Sequence, residues 1–69
     1  MGMKDYRVIF RQKRKALGLS QQALAKKAEI TQPFVWEIEN GRKTPSLDVF
    51  FRLCDELEIR LFPDEEETP

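Results

Sequence analysis

The sequence contains no histidine and a single cysteine, Cys54. Together these absences exclude an internal disulfide and a zinc site of ordinary ligand count, and they fit a reducing, cytoplasmic setting. No run approaches the roughly 20 apolar residues of a membrane span. The amino terminus also lacks the apolar core and small-residue cleavage site of a signal peptide. Only three glycines are present and no Gly-rich phosphate loop can be drawn from them. Acid–base catalysis needs carboxylates gathered in a pocket, whereas the acidic residues here fall on helix surfaces or in the tail. Without a histidine partner, Cys54 reads as a small core residue and not a nucleophile. No enzymatic activity, cofactor or membrane partner is therefore expected.

At 69 residues the chain is expected to form one domain. Such a domain buries only about 60% of the surface its unfolded chain exposes, so a partner subunit would help it. Formal net charge is zero, which argues against a polyanion partner until the distribution is read. Residues 1–45 carry ten basic and four acidic side chains, for +6, and residues 46–69 carry two basic and eight acidic ones, for −6. A basic front and an acidic back make a dipolar molecule able to turn one surface toward a polyanion. Charge alone serves equally well to solvate helix faces.

Tyr6, Phe10, Arg14 and Leu17 recur at helical spacing and predict a first helix from about Asp5 to Leu17, stopped by Gly18. Ser20 is a good N-cap for a second helix, Gln21 to Ala28, with Leu24, Ala25 and Ala28 inward. Glu29 and Ile30 form a tight connection to Thr31, the N-cap of a third helix with Pro33 in its first turn. That helix turns Val35 and Ile38 inward and ends at Asn40-Gly41. After the basic loop Arg42 to Pro45, Ser46 caps a fourth helix whose apolar stripe is read as Leu47, Phe50, Phe51, Cys54 and Leu57. From Leu57 the pattern alternates with Ile59 and Leu61, predicting a strand over Glu58 to Phe62 that Pro63 ends. Residues 64–69 form an acidic tail with the composition of a disordered segment.

Two short helices joined by a few residues, the second capped by Thr31, match a helix-turn-helix. The stretches Leu17-Gly18-Leu19-Ser20-Gln21-Gln22-Ala23-Leu24-Ala25, Ile30-Thr31-Gln32 and Ile38-Glu39-Asn40-Gly41-Arg42-Lys43-Thr44-Pro45-Ser46-Leu47 resemble the lambda-repressor and Cro-like family, often called XRE. The resemblance covers about residues 6 to 62.

What the resemblance implies can be carried over residue by residue. Gln21 takes a place where similar proteins bind phosphate at a helix amino terminus. Gln32, Pro33 and Glu37 correspond to base-reading positions; Gln binds adenine bidentately and Glu accepts from cytosine N4. Thr31 caps the helix and reaches toward phosphate. Phe34 and Trp36 put large aromatics on or beside the exposed face, either to contact thymine methyls in the groove or to mark a protein-binding surface. Asn40, Arg42 and Lys43 form a loop beside the DNA backbone, contributing position without base information. Arg14 and Glu39 correspond to an ion pair that links the first helix to the end of the recognition helix.

The expected fold is therefore all-α: a four-helix helix-turn-helix core over about residues 5–57, a strand extension over 58–62, and the tail. A lone strand cannot satisfy its own backbone groups. Leu57, Glu58, Ile59, Arg60, Leu61 and Phe62 are accordingly expected to pair with a second chain in a homodimer. Sequence-specific binding of double-stranded DNA, most plausibly as a repressor, is the expected function. The competing class is an antitoxin or other protein-binding module that neutralises a toxin; such proteins resembling this family also bind their own operators.

Overall fold

Four short helices each begin on a side chain that accepts a hydrogen bond from the first turn. In the computed structural model, which describes residues 5–61, α1 is Tyr6–Ala16, α2 is Gln21–Ala28, α3 is Gln32–Glu39 and α4 is Leu47–Glu56. The Asp5 carboxylate accepts from the Arg7 amide at 2.9 Å, Ser20 Oγ from Ala23 at 3.0 Å, Thr31 Oγ1 from Phe34 at 3.3 Å and Ser46 Oγ from Val49 at 3.2 Å. Each satisfies a donor that a helix start leaves orphaned, a contribution of about 1 kcal/mol. The Arg7 guanidinium also bonds the Asp5 carboxylate, and this contact, followed by the Arg7 amide, lowers the pKa of the cap from 3.8 to about 2.

The helix stops divide into two kinds. Gly18 and Gly41 follow α1 and α3 at φ 72°, whereas α2 and α4 end on Glu29 at φ 62° and Glu58 at φ 58°. Left-handed backbone at a non-glycine residue costs on the order of 1 kcal/mol or more. Ile30 N–H donates to Ala25 O and Ile59 N–H to Cys54 O, both at 2.9 Å, so each turn closes the preceding helix despite that cost. Glu29→Gly and Glu58→Gly are each expected to stabilise the domain by about 0.5–1 kcal/mol, because strain relief exceeds the extra entropy of glycine in the unfolded chain. Thermal melts followed by circular dichroism should rise by roughly 2–8 °C. An unchanged or lowered midpoint would show these turns to be unstrained.

One core joins the helices, built from Phe10, Leu24, Ala25, Ala28, Val35, Ile38, Val49, Leu53, Cys54 and Leu57. Tyr6, Phe10 and Phe50 tie α1 to α4, with each pair of ring centroids 5.4–5.5 Å apart. Burial, followed by the neighbouring charge of Asp55, raises the Cys54 pKa and disfavours its thiolate. Among the described residues no helix is long and apolar enough to cross a membrane, and no cluster of side chains suits a metal ion.

Two expectations require correction. The buried face of α4 and its C-cap is Val49, Leu53, Cys54 and Leu57, whereas Leu47 is 67% and Phe51 44% exposed. Apolar residues occupy too much of this helix to define one stripe. At about 100° per residue, Val49, Leu53 and Leu57 form the face that packs inward, and Phe51 lies well round the helix from it.

The expected strand also starts differently. Glu58 is in a left-handed turn and Leu57 is wholly buried in its own chain, so neither is extended chain on offer to a partner. Ile59 packs partly against the same core. The alternation of Leu57, Ile59 and Leu61 reflects a helix end followed by a turn. No strand is formed among the described residues; Phe62 and the acidic tail lie outside them.

Candidate nucleic-acid interface

The tight α2–α3 turn, Glu29 to Thr31, leaves one side of α3 uncovered. Val35, Ile38 and Glu39 face inward, Phe34 and Glu37 are half-buried, and Gln32, Pro33, Trp36 and Asn40 are exposed. Residues 32, 33, 36, 37 and 40 fall on one stripe at helical spacing, so a groove that admits α3 would meet them together. Trp36 is 44% exposed. Phe34 is different, because it packs partly against the core and floors an open cleft with Ile30, bordered by Thr31, Glu37, Lys43 and Thr44.

Behind that stripe runs a chain of side-chain hydrogen bonds. Arg14 Nε donates to Glu39 Oε2 at 2.7 Å and Nη2 to Oε1 at 3.1 Å. Its Nη1 donates to Leu19 O at 2.9 Å, fixing the turn between α1 and α2. Both residues are buried, Arg14 being 8% and Glu39 5% exposed. Glu39 Oε1 also accepts from Gln21 Nε2 at 3.0 Å. Gln21 Oε1 in turn accepts from Gln32 Nε2 at 2.9 Å. The buried ion pair thus orients Gln21, and Gln21 orients the exposed amide that opens α3.

The far end of α3 is held differently. Asn40 Nδ2 donates to Trp36 O at 2.9 Å, and the amides of Arg42 and Lys43 donate to Glu37 O at 2.8 and 3.3 Å. Lys43 Nζ lies 3.7 Å from Glu37 Oε1. One expected backbone contact and one expected base reader therefore face each other, with the lysine partly neutralising a carboxylate that would otherwise repel phosphate. Arg42 is exposed.

Arg11 and Arg7 also belong to this site. Arg11 Nη2 donates to Glu39 O at 3.1 Å, and the Arg7 guanidinium occupies the space that a side chain on Gly41 would fill. Their spacing carries the only available signal, since residues 7, 11 and 14 share one face of α1. Of the expected dimer residues, Leu57 is buried, Ile59 is half-buried, and Glu58, Arg60 and Leu61 are exposed.

A capped two-helix unit with a tight turn, presenting the second helix to solvent from its packing on α1 and α2, defines a helix-turn-helix DNA-binding protein. The family model for Helix-turn-helix matches residues 10–62. The chain belongs to that family. It is also similar to an uncharacterized HTH-type transcriptional regulator of Methanothermobacter thermautotrophicus, at 38% identity over 48 residues that cover 70% of each chain.

Proposed function

We propose that the protein is a homodimeric transcriptional repressor that reads a palindromic or pseudopalindromic operator with α3 in the major groove. The observation that carries this reading is the relay from Arg14 through Glu39 and Gln21 to Gln32. An exposed glutamine held by a buried network keeps its amide in one orientation. One of its two N–H groups is used by Gln21, leaving the other N–H and the carbonyl oxygen for N7 and N6 of adenine. Glu37 is the second reader, accepting from cytosine N4, with Pro33 beside Gln32 and Trp36 against thymine methyls. Gln21, Thr31, Asn40, Arg42 and Lys43 contact the backbone. The similarity to a named transcriptional regulator supports the regulatory role.

A dimer suits the geometry of palindromic operators, whose half-sites repeat at about 34 Å, one DNA turn. A second copy of the chain would cover Leu61, which is 39% exposed in a single chain. Repression then amounts to occupying the operator.

Selection from a random duplex library, with sedimentation of the selected complex, tests the proposal. The expected outcome is a symmetric consensus bound by two chains. Absence of enrichment above background would transfer the exposed α3 surface to a protein partner, the antitoxin alternative. A non-symmetric consensus bound by one chain would overturn the dimer.

A further inference from the structure

The recognition helix is anchored at both ends by different groups, and only one of those anchors belongs to the relay described above. At the amino-terminal end Gln21 holds Gln32. At the carboxyl-terminal end Arg11 donates to the Glu39 carbonyl at 3.1 Å, with its Nε 3.9 Å from Glu39 Oε1. One turn back along α1, Arg7 lies against Gly41. Neighbouring carbonyls of α3 are taken up by the chain itself: Asn40 N–H bonds Trp36 O, Gly41 N–H bonds Ile38 O and Arg42 N–H bonds Glu37 O. For the Glu39 carbonyl, the bond comes from another helix. A cation there also meets the negative end of the α3 dipole.

We infer that Arg11 is a positioning residue for base reading, setting the carboxyl-terminal half of α3 and so the depth at which Glu37 enters the groove, independently of the Gln21 anchor that sets Gln32. The inference rests on the DNA-reading role of α3 proposed above. Arg14 holds the Glu39 carboxylate by two short bonds, whereas Arg11, 3.9 Å from the same carboxylate, makes its hydrogen bond to the Glu39 main chain, and that bond is the contact the two arginines do not share. Removing Arg11 frees the last turn of α3 to tilt while the Arg14–Glu39–Gln21–Gln32 relay stays connected. Loss of discrimination should therefore be local to one end of the helix.

The test compares position-resolved base preferences of wild type, Arg11→Met, Arg11→Lys and Gln21→Ala on one duplex library, with salt dependence measured for each. Arg11→Met keeps the apolar stem and removes the donors. It is expected to relax discrimination at the base pair read by Glu37 roughly threefold to tenfold, the range of one net hydrogen bond, with the Gln32 base pair unchanged. Gln21→Ala should show the reverse pattern.

Arg11→Lys retains a donor on a flexible stem and should recover most of the preference at the Glu37 position. It also keeps the test decisive if the Met variant proves unfolded by circular dichroism: a Lys variant relaxed evenly at every position overturns the inference. So does an even loss of affinity in Arg11→Met with the salt slope lowered by about 0.9, the signature of a lost phosphate contact. A wild-type chain that enriches no site overturns the DNA reading itself, whereas these other two outcomes leave that reading standing and remove only the role of Arg11.

Discussion

Glu39→Ala is expected to cost about 3–5 kcal/mol of folding free energy, because it leaves the Arg14 guanidinium buried without a counter-charge. A domain of this length holds roughly 3–10 kcal/mol in total. Most of the stability is therefore at stake in one carboxylate. The geometry supports the upper part of the range: Glu39 is 5% exposed and its two oxygens accept from Arg14 and Gln21 together. Urea denaturation of the variant should show a midpoint far below that of wild type, or no folded baseline. Replacing both partners, as in Arg14→Met with Glu39→Met, is expected to restore much of the loss, since apolar residues of similar volume often match a buried pair. The restored protein should still read DNA poorly, because Gln21 has lost the acceptor that orients it. A double variant as unstable as the single one would show that the pair contributes more than its own compensation.

Gln32→Ala and Glu37→Ala are expected to remove base discrimination, each at one base pair per half-site and by roughly 1–3 kcal/mol. The two should differ in a second respect. Gln32 is uncharged and exposed, so its loss leaves affinity for unrelated duplexes nearly as before. Glu37 carries a negative charge paired with Lys43 at 3.7 Å, so its removal frees a lysine for phosphate. Non-specific affinity of Glu37→Ala should rise, and its salt dependence should steepen. Unchanged preferences in both variants, on a common library, would mean that α3 does not read bases.

Much of the scaffold was legible because helix boundaries depend on neighbours within a few residues. Ser20, Thr31 and Ser46 each precede an apolar periodic stretch, and each caps the helix that follows. Gly18 and Gly41 mark stops for the same local reason. The end of α2 before Glu29 is legible, but the left-handed backbone of Glu29 and Glu58 is not, because nothing in a glutamate announces it. The facing of α4 is not legible for another reason: when apolar residues surround most of a helix, the packed side is chosen by α1 and α2, not by the helix's own spacing. Contacts between distant residues are harder still. The bonds Gln32 to Gln21 and Arg11 to Glu39 join residues 11 and 28 positions apart, and no local pattern encodes them. Arg14 and Glu39 were singled out only through the family resemblance.

The position of Trp36 has a practical consequence. It is the sole tryptophan of the chain, and it sits half-exposed on the outward stripe of α3, away from the Tyr6–Phe10–Phe50 cluster that joins α1 to α4. Indole emission from this protein therefore originates at a single point on the surface assigned to DNA. The unlabelled protein carries its own fluorescent reporter, in which a nucleobase stacked near the ring would quench the signal and an occupant elsewhere on the molecule would leave it nearly untouched.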